Sequence, residues 1–225
     1  MKKRVVWTIF LLTAGVLSAC GTPEVTGEEA RAISGQVADY GGPAGTLEAT
    51  DDISETNVGT GSIRADGSFS LELDQDVPEA ALQSVTFLAS CADIEISDPQ
   101  ANISALGVLD VASGDELGYL ILADSAATGQ GRPGTLVGRF YADRDVSVRG
   151  KCVSDGADVF SDVEISLELK RGWNVYTVAA KSDPNAAGGI AGTLTSGMAS
   201  GVAWYYVSGE HSGSSDPPPT PTSRF

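Results

Sequence analysis

Between Asp162 and Leu169 the chain alternates without a slip: Val163, Ile165, Leu167 and Leu169 fall on one parity, Asp162, Glu164, Ser166 and Glu168 on the other. Successive side chains of a strand point to opposite faces, so this segment buries one face and wets the other, the pattern of antiparallel sheet. The same period of two predicts strands at Ile33 to Val37, Gly45 to Thr50, Val85 to Cys91, Ile103 to Val111, Leu117 to Ala123 and Leu136 to Tyr141. Further strands are predicted at Val146 to Cys152, Trp173 to Ala180, Gly189 to Thr195 and Val202 to Val207. Many short strands separated by turn residues point to an all-β chain folded as an antiparallel β-sandwich. Beyond the first 19 residues, helix is confined to a single turn at Pro78 to Leu82, with proline at its start.

The plainest hairpin runs from Ser62 to Leu73 around Asp66-Gly67, a pair that suits a two-residue loop with positive φ at both central positions. Ile63, Phe69, Leu71 and Leu73 supply its buried face. The expected body spans residues 32–207, with 32–75 and 76–207 as two parts of one fold. Residues 208–225, with Pro217-Pro218-Pro219-Thr220-Pro221, carry too little apolar surface to fold and are expected to be disordered.

The first 19 residues read as a leader: Lys2-Lys3-Arg4, an apolar run from Val5 to Val16, then Leu17-Ser18-Ala19-Cys20. The run is shorter than the about 20 apolar residues a spanning helix needs and matches a signal helix. Leu17-Ser18-Ala19-Cys20 resembles the cleavage and lipidation signal of bacterial lipoproteins. That resemblance implies a mature chain beginning at Cys20, acylated there, extracytoplasmic, and held to the cell membrane or outer membrane by its lipid. Residues 20–31 then form a lipidated tether, whose ten residues from Gly21 to Ala30 reach at most ~35 Å.

Charge and cysteine content agree with export. The formal charge of −16 becomes −19 once Lys2, Lys3 and Arg4 are removed with the leader. A surface of that sign repels phosphate backbones, which excludes nucleic acid as a partner. Cys91 and Cys152 remain as a pair in a compartment where disulfides persist. Their strand parities turn both thiols inward, and a bridge closing a loop of about 60 residues contributes ~4 kcal/mol on the chain-entropy model. Two buried free thiols are the competing reading.

Catalytic chemistry finds little to work with. The one histidine, His211, lies in the tail, which argues against a Ser-His-Asp site, a Cys-His pair or a His/Cys zinc site. Paired carboxylates are plentiful, but abundance is not geometry, and the chain is read as a non-enzyme with no cofactor. For binding, Asp155, Asp158 and Asp162 are the densest carboxylates for calcium, although the Asp-x-Asp-x-Asp-Gly spacing is incomplete and an acidic solvated turn reads equally from these residues. Trp173, Trp204 and Tyr206, with Tyr205, form either an aromatic platform for sugars or part of the core. Trp173 shares its parity with Val175, which favours the core.

Two further resemblances bear on the body. Ile33-Ser34-Gly35-Gln36-Val37 with its glycine-rich turn, and Asp66-Gly67-Ser68-Phe69-Ser70-Leu71, resemble the start of transthyretin-like, carboxypeptidase-regulatory-like β-sandwich modules over residues 32–75. Phe140 to Val148, Leu169 to Asn174 and Gly201 to Val207 are similar to envelope lipoproteins of the Deinococcus–Thermus kind. They imply export and β structure, and no activity. The expected role is structural or adhesive within the cell envelope, with envelope polysaccharide or protein as partner; carbohydrate or ligand binding is the alternative, and a carboxylate hydrolase comes third.

Overall fold

The computed structural model describes residues 26–90, 93–113, 116–128, 132–153, 162–183 and 190–209. The leader, Cys20, Cys91, Asp155, Asp158, His211 and the proline-rich tail lie outside the described residues.

One helical turn, α1 (Glu28–Arg31), leads into β1 (Ala32–Gln36), β2 (Gly45–Thr50), β3 (Asn57–Ile63) and β4 (Ser68–Leu73). After a 3-10 turn at Glu79–Ala81 come β5 (Gln83–Ser84), a second 3-10 segment at Val85–Ser90, β6 (Asp93–Ile96), β7 (Asn102–Leu106), β8 (Leu109–Ser113) and β9 (Glu116–Ala123). The remaining strands are β10 (Thr135–Ala142), β11 (Val146–Val153), β12 (Asp162–Leu169), β13 (Gly172–Ser182), β14 (Ile190–Ser196) and β15 (Ala203–Ser208). Among the described residues all fifteen strands belong to one hydrogen-bonded network, and the fold is mostly β.

Two hydrophobic cores organise that network. Around the first, β1, β4, β3, β2, β8, β9 and β15 follow one another by antiparallel pairing. A parallel bridge between Val37 and Trp204, with Ala38 N–H donating to the Trp204 carbonyl at 2.9 Å, returns the path to the end of β1. Ile33, Leu47, Val58, Leu71, Leu73 and Leu120 fill the interior. The second core, with Ile103, Phe140, Val148, Leu167 and Tyr176, is wrapped by β7, β10, β13, β14, β12, β11 and β6.

The two cores share one strand pair. Along β10, Val137 and Tyr141 belong to the first core while Phe140 and Ala142 belong to the second. Along β13, Trp173 and Val175 face the first and Tyr176 the second. The pair runs in register from Thr135↔Ala179 to Ala142↔Gly172. Strands buried on both faces need near-continuous apolar sequence, and Phe140-Tyr141-Ala142 and Val175-Tyr176 supply it where β12, buried on one face, alternates.

The structure corrects four sequence expectations. The sheet is mixed, because β14 inserts between β13 and β12 and pairs with β12 in parallel. β12 and β13 are separated by only Lys170 and Arg171, yet the chain turns a corner there instead of forming a hairpin, pinned by Asn174. Its Oδ1 accepts from Lys170 N at 2.8 Å and its Nδ2 donates to the Lys170 and Gly172 carbonyls at 2.7 Å each. The segment from Val85 is a 3-10 turn: Val85 is buried, Leu88 packs on the second core three positions on, and Phe87 is 41% exposed. Ser84 Oγ accepts from Thr86 N and meets Thr86 Oγ1 at 2.8 Å, local bonds that compete with a strand ladder.

The predicted strand from Ile103 to Val111 divides at Gly107, since β7 pairs with β10 whereas β8 lies between β2 and β9. Finally, the Asp66-Gly67 hairpin closes over three residues. Gly67 N–H donates to Arg64 C=O at 2.9 Å and only Gly67, at φ 81°, takes the left-handed conformation, which is a type I turn with a bulge. Asp66 Oδ1 accepts from Ser68 N and Ser68 Oγ, and these bonds hold its carboxyl below the usual range.

The closure at β1 and β15 depends on a missing side chain. A Cβ at Gly35 would stand 2.8 Å from Trp204 Cδ1 and 3.1 Å from Phe69 Cε1, and those two rings pack edge to face at 5.0 Å. Gly35→Val therefore overpacks the seam and is expected to cost roughly 1–3 kcal/mol. Urea unfolding should show a lower midpoint with an unchanged slope.

Candidate functional sites

The aromatic residues singled out in the sequence are separated by the fold. Trp173 is 2% exposed in the first core, with its Nε1 donating to the Asp74 carbonyl at 2.8 Å. Trp204 is half-buried against Phe69, and Tyr206 is half-buried with its ring edge to face with Tyr40 at 5.3 Å. Tyr205, on the opposite parity of β15, packs with Tyr119 and Val207 in a small separate cluster. No shared exposed shelf is formed by Trp173, Trp204 and Tyr206.

Of the acidic trio, only Asp162 is described. It stands at the start of β12, 2.9 Å from Lys151 Nζ. This pair lines an open groove of about 350 Å³ together with the small residues Ala179, Ala191 and Gly192 and the charged Glu164, Lys181 and Asp183. The hydrogen bond and charge of Asp162 raise the Lys151 ammonium above its ordinary range, with Glu164 and Asp183 adding to the field. Chemically the groove offers both carboxylates and ammonium groups, suited to hydroxyl-rich or zwitterionic ligands. Among the described residues no cluster of three or more His, Cys, Asp or Glu is arranged to hold a metal. Cys152 sits half-buried at the margin of the second core.

A second polar centre escaped the sequence reading. Asp51, 1% exposed, begins the loop between β2 and β3. Its Oδ2 accepts from Ser104 Oγ and Ala105 N at 2.8 Å each, and its Oδ1 accepts from Ser54 N at 2.7 Å and Ile53 N at 3.3 Å. The main chain adds a bond from Asp52 N–H to the Ala105 carbonyl at 2.9 Å. The loop thus completes the edge of β7 as a strand would. Next to it, burial drives the Asp52 carboxyl up to about 7, against a hydrogen bond from Gly107 N–H and with help from the nearby charges of Asp51 and Asp110. Behind Gly107 lies Tyr176, stacked on Phe140 at 4.2 Å, its hydroxyl pushed well above the usual range by burial and by Asp52.

Arg139 is the third. It projects from β10 on the parity of Val137 and Tyr141, is 7% exposed, and donates from Nε to the Ala30 carbonyl at 2.9 Å. Burial lowers its guanidinium to about 10. The bond belongs to a set that fixes the entry of the chain. Gly27 N–H donates to Trp173 C=O at 2.9 Å, Thr26 bridges Asn174, and Arg31 pairs with Glu72 at 2.9 Å.

No family model, curated protein or solved structure matches the chain.

A doublet of aspartates after a strand was the available signal for the β2–β3 loop, but Asp51-Asp52 reads equally as a solvated turn until β7 is known to lie beside it. Asp51→Ala leaves Ser104 Oγ and Ala105 N–H without their acceptor and should cost about 3 kcal/mol, as removal of a buried charged acceptor does. Chemical denaturation of the variant beside Asp76→Ala, an exposed carboxylate between β4 and the first 3-10 turn, checks this: the latter should move stability by less than about 0.5 kcal/mol.

Proposed function

We propose that the protein is a lipid-anchored, extracytoplasmic β-sandwich scaffold of the cell envelope, non-catalytic, with a structural or adhesive role. The observation that carries this reading is the way the tether joins the body. Thr26, Gly27 and Ala30 are bound to Asn174, Trp173 and Arg139, and Arg31 to Glu72, so the described chain from Thr26 onward is fastened to the β10 and β13 pair that both cores share and to β4. Pulling on the anchor loads the best-buried strands of the molecule rather than an edge. Burial of Trp173 and the clasping of Trp204 and Tyr206 support a scaffold over a sugar-stacking surface.

A bridge between Cys91 and Cys152 is part of the same reading. In the β6–β11 ladder Asp93 is opposite Lys151, so the chain enters the ladder two residues after Cys91 and Cys152 follows one residue after Lys151. The groove beside Lys151 and Asp162 favours a second reading, binding of a hydroxyl-rich envelope ligand, with calcium at Asp155, Asp158 and Asp162 as a weaker extension of it.

Mass spectrometry of the native product tests the anchor: the first residue should be Cys20 carrying diacylglycerol, and Cys20→Ser should move the protein from the membrane to the soluble fraction. An intact leader would end this reading. Non-reducing peptide mapping should recover Cys91 and Cys152 in one linked pair. Glycan arrays separate the two functions, because the scaffold reading expects no binding that depends on the groove, whereas binding abolished by Lys151→Ala together with Glu164→Ala would transfer the role to the groove.

A further inference from the structure

We propose that the β2–β3 loop is a proton-operated latch on the fork between β7 and β8: protonated Asp52 keeps the loop docked, and ionised Asp52 favours its release from β7. The fork exists because β7 and β8 part at Gly107, one running to β10 and the other to β2 and β9. Asp52 sits in that opening. Its Oδ2 lies 3.0 Å from where a Cβ on Gly107 would stand, and the Tyr176 hydroxyl lies 3.8 Å from the same point.

Two carboxylates facing Asp52 oppose a negative charge there, Asp51 from its own loop and Asp110 from β8. Tyr176 faces it from β13 as a neutral phenol, and the Gly107 N–H favours the ionised form. Arg139 acts on Tyr176 and is not among the groups that set Asp52. Asp51 is a different kind of carboxylate, with four donors already bound to it. The pair therefore divides the work: Asp51 fixes where the loop docks, and Asp52 makes the docking depend on protons.

The direction follows from linkage. The docked carboxyl titrates at about 7 and a solvated one near 3.8, so between those values the docked state holds a proton that the open state releases. Opening becomes easier as pH rises through this window and levels off above about 7. Release uncovers Ala105 N–H and C=O, the two groups of the β7 edge that the loop now satisfies. An uncovered pair of that kind is a place where another strand can add.

Amide hydrogen exchange of the full chain, corrected for intrinsic rates, reads the latch directly. Protection at Ile53, Ser54, Glu55 and Ala105 should fall roughly tenfold per pH unit between pH 5 and 7 and stay level above, while amides of β11 and β12 show no such change. In Asp52→Asn, whose amide oxygen still accepts from Gly107, protection at the loop should remain high and flat across the range. Asp110→Asn should retain the dependence with its upper limit displaced to lower pH. Loop protection that is pH-independent in the unaltered protein, or equally pH-dependent in Asp52→Asn, overturns the proposal.

Discussion

The two-sided burial of β10 and β13 is the constraint from which the other features follow. A strand pair with apolar side chains on both faces must be covered on both, and here each face becomes the wall of a separate core. Sheets wrapped around one side cannot also serve the other without the path splitting. The split appears on one edge of β10, where Leu136 and Val137 pair with β9 and Arg139 to Ala142 pair with β7. The parting of β7 from β8 at Gly107, the insertion of β14 beside β12, and the corner at Lys170-Arg171 are the accommodations that this junction requires.

Corners and forks interrupt ladders, and interrupted ladders leave main-chain groups that burial makes costly to leave unpaired. Three buried side chains meet that demand. Asn174 takes over the N–H and carbonyl groups around Lys170 and Gly172, Asp51 caps the loop beside β7, and Arg139 binds the Ala30 carbonyl where a helix of only four residues leaves it exposed to the core. Among the described residues no buried side-chain nitrogen or oxygen lacks a partner. The polar residues inside this molecule thus mark the places where the sheet changes direction.

That division explains what could be read from the chain. Where one face is buried and one wet, parity is enough: β12 and β4 stand where Val163 to Leu169 and Phe69 to Leu73 place them. β6 was missed because Asp93, Ile94, Glu95 and Ile96 form a four-residue edge strand whose exposed acids resemble a loop; charges of that kind also discourage pairing at a free edge. Val85 to Ser90 looked like a strand because Val85 and Phe87 share a parity, yet the spacing that the fold uses is Val85 to Leu88, three residues, which short apolar runs do not distinguish. The Asp51-Asp52 centre was illegible for a different reason. Its partners Ala105, Gly107, Asp110 and Tyr176 are more than fifty residues away, and nothing local sets the two aspartates apart from other acidic turns.

Arg139 carries this reasoning to its limit. A buried guanidinium is expensive, and an apolar side chain of similar size would fill the first core at less cost, as replacements of buried ion pairs show. Its retention points to a positional demand that packing alone does not meet. The Ala30 carbonyl lies in α1 one residue before its end at Arg31, ahead of the β1 ladder that begins at Ala32. The Arg139 guanidinium reaches it from β10 at 2.9 Å, and its rigid fork loses less rotamer freedom per bond than a lysine would. The charge buried there is thus explained by what it holds: the point where α1 gives way to β1, fastened from the doubly covered β10.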